Sequence, residues 1–180
     1  MKNKSYYLNE LKREIKSQPC SITKIKKMIL EMESNNININ SKTYNGRTLL
    51  HYAVINNQKR LVRLFIKLGI NPEICDDNYN TPLHLAVVKN KYQIIQELIK
   101  SGVNVNVTGE FEQTPLHLAV SCNNLEIVKL LVKNGADCNL VDEQNLKPID
   151  YAIDEKNEKI ISYITSYNKG GKTNEQNIDI

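Results

Sequence analysis

The sequence contains no tryptophan and only two phenylalanines, and its seven glycines and five prolines are few for 180 residues. Because turns depend on glycine and proline, this scarcity argues against a loop-rich all-β fold. The apolar runs are only a few residues long, whereas a membrane-spanning helix needs about 20 apolar residues. The N-terminal segment is charged and has no apolar centre, so it does not predict a secretory signal.

Cysteine is also rare, and its spacing predicts neither a metal site nor a disulfide framework. The chain has Cys20, Cys75, Cys122 and Cys138, and no two of them form a CxxC pair. We therefore expect reduced thiols in a cytosolic protein.

Composition and charge are uneven. Lysine, asparagine and isoleucine occur 20, 24 and 21 times, whereas arginine occurs four times. This bias is typical of an AT-rich genome, and we expect no structural role for it. The net charge is +4, and residues 1–30 hold eight lysines and arginines against two glutamates. The basic excess therefore lies in the N-terminal segment rather than along the whole chain.

A six-residue motif recurs at a constant interval of 33 residues. It reads TLLHYA from Thr48, TPLHLA from Thr81, TPLHLA from Thr114 and KPIDYA from Lys147. Glycines keep the same interval at Gly69, Gly102 and Gly135. A period of this length is typical of repeat proteins, in which each unit packs only against its neighbours.

Each unit predicts two helices separated by a turn. The threonine predicts an N-cap and the following proline the first helical position, so we predict first helices over Leu83–Val88 and Leu116–Ser121. Asn57, Asn90 and Asn123 suit the left-handed turn after that helix. The second helix carries apolar residues at helical spacing and ends at a glycine. The polar stretch after it predicts a protruding hairpin-like loop.

The motif, the glycines and the segment LEIVKLLVKNGADCN (Leu125–Asn139) together resemble the ankyrin repeat. The resemblance implies an all-α solenoid of stacked antiparallel helix pairs joined by protruding loops. It implies one domain over 1–167, with capping repeats at 5–42 and 142–167 and full repeats at 43–75, 76–108 and 109–141. We expect the first cap to contain helices over Tyr6–Ser17 and Ile22–Asn36, and residues 168–180 to be a disordered tail.

The turn glycine of the family is kept only once. It is Gly46 in the first full repeat, but Tyr79, Glu112 and Asn145 stand at the matching positions. Tyrosine and glutamate are disfavoured at positive φ. We therefore expect the second and third loops to be looser or differently shaped.

No residue pattern points to catalysis, a cofactor or a metal. His51, His84 and His117 all belong to the motif, and repeats stacked about 10 Å apart keep them from sharing one zinc ion. We expect each imidazole to bond to its own threonine and to neighbouring backbone. Cys122 and His117 point to different sides of one helix, so they do not form a nucleophile–base pair. The string GGKT at 170–173 lacks the other parts of a phosphate-binding loop.

The resemblance implies that a partner protein is bound by the loop tips and the exposed side of the first helices. The matching positions are Tyr44, Asn45, Arg47, Ile55, Asn56, Asp77, Asn78, Asn80, Val88, Lys89, Glu110, Phe111, Gln113, Ser121, Cys122, Glu143, Gln144 and Leu146, followed by Asp154 and Glu155. Charge along this series changes from basic in the first repeats to acidic in the last, which would orient a partner.

Apolar residues within this series are candidate anchors, since the repeat itself does not require them. They are Ile55, Val88, Phe111 and Leu146. Phe111 is the strongest candidate because aromatic side chains dominate the energetics of many interfaces. The alternative is that its ring folds back against Tyr79 or the next loop.

These expectations favour a non-catalytic interaction module, an adaptor or a competitive inhibitor, that is monomeric and cytoplasmic. The alternative is that the basic N-terminal segment binds nucleic acid or an anionic membrane. The residues concerned are Lys12, Arg13, Lys16, Lys24, Lys26 and Lys27, which otherwise form the solvated face of a cap. Short ankyrin proteins of similar composition occur in intracellular bacteria such as rickettsiae and in large DNA or insect viruses. The resemblance therefore also implies an effector that acts in a host cytoplasm or nucleus.

Overall fold

A computed structural model describes residues 3–170 of the chain, with the side chains of residues 3–168. This range contains ten α-helices, one short 3₁₀ turn and no strand. The helices are α1 Lys4–Lys16, α2 Ile22–Ser34, α3 Leu49–Ile55, α4 Lys59–Lys67, α5 Pro82–Val88, α6 Tyr92–Lys100, α7 Pro115–Ser121, α8 Leu125–Lys133, α9 Pro148–Asp154 and α10 Glu158–Gly170. The 3₁₀ turn is Glu110–Glu112.

The helices form two layers. In the first layer, α1, α3, α5, α7 and α9 contact one another in that order. The second layer consists of α2, α4, α6, α8 and α10, and each of these packs against the first-layer helix that precedes it. The chain is therefore an all-α solenoid of stacked helix pairs, as predicted.

The predicted signals fix where the first-layer helices begin. The N-caps of α3, α5 and α7 are Thr48, Thr81 and Thr114. Pro82 and Pro115 are themselves the first residues of α5 and α7. The prediction that proline occupies the first helical position is thus confirmed, and the helices begin one residue before the predicted bounds at Leu83 and Leu116. Proline suits this position because its φ is suitable and its missing N–H loses no bond.

The predicted turns end the helices. The three asparagines that follow the first-layer helices, Asn57, Asn90 and Asn123, have φ of 56°, 54° and 55°. Gly102 and Gly135, which follow α6 and α8, have φ of 85° and 92°. Each position is in the left-handed region, where glycine and asparagine are favoured.

The core is a continuous line of apolar side chains between the layers. Second-layer helices contribute Leu61, Ile94, Ile127 and Ile160, each at most 1 % exposed. First-layer helices contribute Ala53, Ala86, Ala119 and Ala152, which are equally buried. The small alanines let neighbouring first-layer helices approach closely, and a larger side chain there would overpack the core.

Asparagine side chains link successive repeats, a role of individual residues that the composition alone does not predict. Asn40 Oδ1 accepts a hydrogen bond from the backbone N–H of Asn71 at 2.8 Å, and Asn106 Oδ1 accepts one from Asp137 at 2.8 Å. In the repeat between them, a glutamate carboxylate accepts the equivalent bond. These bonds satisfy backbone donors that have no helical or strand partner.

The two ends of the solenoid differ slightly from expectation. Helix α1 begins at Lys4, two residues before the predicted start at Tyr6. Helix α10 continues to Gly170, so residues 168–170 are helical although the sequence analysis assigned them to a disordered tail. The rest of that tail, with most of the GGKT string, lies outside the described residues. Between residues 3 and 170, no helix combines the length and the apolar character needed to cross a membrane.

Candidate protein-binding surface

Four loops of five residues precede the helices α3, α5, α7 and α9. A backbone hydrogen bond of 2.9–3.0 Å closes each loop, and the first residue donates to the carbonyl oxygen of the fifth. We number them loop 1 (43–47), loop 2 (76–80), loop 3 (109–113) and loop 4 (142–146). The constant closing bond places the central residues of every loop at its tip.

Loop 2 has the same turn as loop 1 although tyrosine replaces the turn glycine. Tyr79 has φ of 60°, close to the 72° of Gly46, and the N–H of each donates to the carbonyl oxygen of the first residue of its loop. The buried carboxylate of Asp76 holds this shape, because its Oδ1 accepts from the N–H groups of Asn78 and Asn80 at 3.1 Å each. The expectation of a looser or different second loop is therefore wrong.

Loop 3 does differ in shape. Gly109 stands where loop 2 has its anchoring Asp76, and two successive residues, Phe111 and Glu112, have φ of 57° and 56°. The expectation for the third loop is thus confirmed. Its cause is the missing carboxylate as well as the missing turn glycine.

Each motif histidine joins one repeat to the next. His84 Nδ1 accepts a hydrogen bond from the N–H of Thr81 at 3.2 Å, and its Nε2 lies 3.2 Å from the carbonyl oxygen of Gln113. His51 and His117 make equivalent pairs of bonds. Because a backbone N–H only donates, Nδ1 is the acceptor and Nε2 carries the proton. The predicted bonds are confirmed.

Burial keeps these imidazoles neutral. It lowers the pKa of His51 and of His84 to about 4 each, and it lowers the pKa of His117 as well. Both ring nitrogens of each histidine are engaged in hydrogen bonds. The three side chains therefore brace the loops of the surface.

Several residues of the predicted binding set also hold the loops together. Arg47 Nε donates to the carboxylate of Asp76 at 3.1 Å, which ties loop 1 to loop 2. Gln113 Nε2 donates to the hydroxyl of Tyr151 at 2.8 Å, which ties loop 3 to α9. Asn45 bonds within its own repeat. These side chains are less available to a partner than their positions in the loops suggest.

The remaining residues of the set lie on one side of the molecule, on the loop tips and the C-terminal ends of α3, α5, α7 and α9. We call this side the first-helix face. Its exposed polar members are Asp77, Asn78, Lys89, Ser121, Cys122, Glu143, Gln144, Asp154 and Glu155, whereas Asn56, Asn80 and Glu110 are half-buried.

The apolar residues of the first-helix face differ in exposure. Tyr44 is 90 % exposed, Phe111 is 56 % exposed and Val88 is 47 % exposed. Ile55 and Leu146 are half-buried. Among the predicted residues, the best-presented apolar groups are thus two loop aromatics and one valine of α5.

The ring of Phe111 does not stack on Tyr79. Among the described residues its ring makes no ring contact with Tyr79, whose own side chain is 70 % exposed. The backbone of Phe111 also contacts the next loop, where its carbonyl oxygen accepts from the N–H of Glu143 at 3.2 Å. The ring is left available to a partner.

Sequence reasoning missed two exposed apolar residues of this face, Tyr79 and Ile153. Tyr79 was visible as a departure from glycine, but its presentation depends on the bonds to Asp76. Ile153 is 55 % exposed, whereas the equivalent Val54 and Val87 are fully buried by the following repeat. In the described part of the chain no repeat follows α9 and α10, so Ile153 stays uncovered.

The N-terminal basic residues are partly used within the cap. Lys24 forms an ion pair with Glu14 at 2.7 Å, and Arg13 pairs with the glutamate three residues before it at 2.8 Å. The amine of Lys12 lies 5.4 Å from the ring centroid of Tyr44. Half of the six cations named for a nucleic-acid or membrane site therefore already have partners in the chain.

Comparison with known families agrees with the repeat pattern. A family model described as "Ankyrin repeats (3 copies)" matches residues 21–109, and one described as "Ankyrin repeats (many copies)" matches residues 98–152. The two matches overlap and together span residues 21–152. No curated protein matches the chain.

Proposed function

Because the chain belongs to the ankyrin repeat family, whose repeats form protein-interaction modules, we propose that it binds one partner protein through its first-helix face. The chain would act as a non-catalytic adaptor or competitive inhibitor. A solenoid offers an extended surface of this kind, since each unit packs only against its neighbours.

The main support is a row of aromatic side chains on three successive loops. Tyr44, Tyr79 and Phe111 lie on loops 1, 2 and 3, and each is more than half exposed. Large exposed aromatics lose contact with water at an interface, which makes them effective anchors. Val88 of α5 extends the apolar surface from the tips towards the helices. The second layer presents no comparable row among the described residues.

Compartment and oligomeric state form part of the same proposal. All four cysteines are free thiols, which agrees with a reducing compartment such as the cytoplasm. We propose a monomer there, in the source cell or in a host cell. Gel filtration with light scattering, and fractionation of cells that express a tagged chain, would test these two points.

The experiment is affinity capture from cell lysates with three forms of the protein: the wild type, a Tyr44→Ala/Val88→Ala/Phe111→Ala variant, and a control. The control, Leu30→Ala/Tyr92→Ala, removes exposed apolar side chains from the second layer. We call the Tyr44→Ala/Val88→Ala/Phe111→Ala protein the face variant. If each of its three side chains contributes more than about 1 kcal/mol to binding, the face variant binds the partner roughly 100-fold more weakly than the wild type does. The proposal would be contradicted if the face variant captured the same partners as the wild type while the control lost them.

Binding of nucleic acid or membrane by the basic segment predicts different results. Affinity would fall steeply with salt, and deletion of residues 1–30 would abolish it, whereas the face variant would bind normally. The same preparations, titrated with duplex DNA and with anionic vesicles, separate the two functions.

A further inference from the structure

Two exposed aromatic residues occupy backbone conformations that disfavour them. Tyr79 has φ of 60° and Phe111 has φ of 57°. The turn position of Tyr79 is filled by Gly46 in loop 1 and by Asn145 in loop 4, which are the residue types that tolerate positive φ. At this turn position, an aromatic residue is less favourable than glycine or asparagine.

Packing does not compensate for this unfavourable backbone. The side chains of Tyr79 and Phe111 are 70 % and 56 % exposed, so neither ring gains much by leaving water. Strained residues that make few contacts of their own are typical of functional sites, where the conformation serves a ligand. The loops therefore present these rings at a cost in stability, which indicates that a partner uses them.

The loops that carry the two rings are acidic, and so is the loop that follows them. Loops 2, 3 and 4 contain six acidic residues and no lysine or arginine. Two of the six, Asp76 and Asp142, are buried and hold their loops, so four remain for a partner. These four are Asp77, Glu110, Glu112 and Glu143. Glu110 accepts a hydrogen bond from the Asn80 amide at 3.4 Å, and it forms no ion pair with any residue that the structure describes.

In loop 1, the exposed ring of Tyr44 is contacted by a cationic side chain. The amine of Lys12 lies 5.4 Å from the ring centroid of Tyr44 and 5.1 Å from that of Tyr52, within the range of cation–π attraction. Lys12 comes from α1 of the same chain. In the described residues no lysine or arginine occupies the equivalent position over Tyr79 or Phe111.

We propose that loops 2 and 3 bind a basic segment of the partner protein, with arginine or lysine side chains over the rings of Tyr79 and Phe111. Asp77 and Glu112 pair with the cations, and Val88 contacts an apolar residue of the same segment. Nucleic acid and anionic lipid do not fit, because the acidic loops repel them. This inference rests on the proposed function, and it specifies the chemistry of the partner.

The test is selection from a random displayed library of peptides about a dozen residues long against the immobilised full chain. We expect enriched sequences to contain more arginine and lysine than the starting library. The enriched peptides, resynthesised with a fluorescent label, are then titrated against Tyr79→Gly/Phe111→Asn, which introduces residues that suit the two backbones. We expect at least about tenfold weaker binding with an unchanged or higher Tm.

Two matched variants distinguish the effect of losing a ring from the effects of losing charge and of changing the turn. Asn145→Gly makes the same kind of turn substitution in loop 4 without removing a ring, and we expect it to bind like the wild type. Asp77→Asn/Glu112→Gln keeps both rings and removes two exposed charges. We expect weaker binding and a smaller dependence on salt.

Several results would overturn the inference. One is enrichment of peptides without excess basic residues, and another is binding that survives the loss of both rings. In either case the proposed function stands if the Tyr44→Ala/Val88→Ala/Phe111→Ala variant still loses its protein partner. If no peptide is enriched and that variant also retains every captured protein, both proposals fail.

Discussion

His84 Nε2 lies 3.2 Å from the carbonyl oxygen of Gln113, so an imidazole at the start of one helix pair is bonded to the loop of the next pair. The donor is the Nε2–H of a neutral ring, because Nδ1 accepts from Thr81. The same arrangement occurs at each motif histidine. The positions of the loop tips thus depend on the protonation state of three buried side chains.

Stability should fall as the solution is acidified from pH 7 to pH 5. Burial lowers the pKa of His51 and of His84 to about 4 each, below the 6.5 of an unperturbed histidine. Between these values the unfolded chain binds protons that the folded chain does not, so the free energy of unfolding decreases with falling pH. We expect a loss of about 2 kcal/mol for each of the two histidines, measured by urea unfolding at both pH values.

The control for this prediction is His84→Gln. This variant is less stable at pH 7, because the bond to Gln113 is lost, but one titrating group has also been removed. We therefore expect its stability to fall less than that of the wild type over the same interval. An identical pH dependence in the two proteins would contradict the assignment.

Replacement of Tyr79 by glycine should not destabilise the fold. Glycine adopts the φ of 60° without the steric penalty of about 1–2 kcal/mol that a side chain meets there, although it also gives the unfolded chain more freedom. We expect a change between zero and a gain of about 1 kcal/mol in the free energy of unfolding. A loss of more than about 1 kcal/mol would mean that the ring packs against the loops.

Gly46 should be far less tolerant of substitution than Gly102, although both have positive φ. A Cβ atom on Gly46 would lie 2.5 Å from the backbone nitrogen of Asp77, whereas one on Gly102 would have no heavy atom within 4 Å. We expect Gly102→Ala to cost about 1 kcal/mol, for the backbone alone, and Gly46→Ala to cost about 2–3 kcal/mol. Equal costs in chemical denaturation would show that loop 2 moves away freely.

The 33-residue period predicted a repeat protein, and the resemblance to the ankyrin repeat implied the stacked helix pairs. Thr81 and His84 stand three residues apart in one motif, so their mutual bond was predictable from local spacing. The helix starts were predicted to within a residue at Pro82 and Pro115 because their signals are equally local. Local chemistry at the helix ends therefore determined most of the fold.

The candidate site was less predictable, because its geometry depends on contacts between distant residues. The bond from Gln113 to Tyr151 joins residues 38 positions apart and removes a predicted binding residue from the free surface. The turn at Tyr79 was predicted to be irregular because the sequence shows the unfavourable residue but not the carboxylate that stabilises it. Exposure of Ile153 follows from the predicted capping repeat at 142–167, which no described repeat covers, but the sequence analysis did not extend that prediction to this side chain.

Removal of the Asp76 carboxylate should destabilise the fold, because this group holds loop 2. Its oxygens accept from two backbone N–H groups and from Arg47 Nε, and the side chain is buried. In Asp76→Ala these donors lose their acceptor, and an arginine charge is left without its partner. We expect a loss of about 3 kcal/mol in the free energy of unfolding.

The neighbouring residue provides the matched control for that loss. Asp77 is exposed, and Asp77→Ala should change stability by less than about 0.5 kcal/mol. In Asp76→Ala, hydrogen exchange at the N–H groups of Asn78 and Asn80 should also accelerate, since their acceptor is gone. Equal stability of the two variants would mean that the turn at Tyr79 forms without Asp76. Another interaction would then have to hold the backbone of Tyr79 at its positive φ.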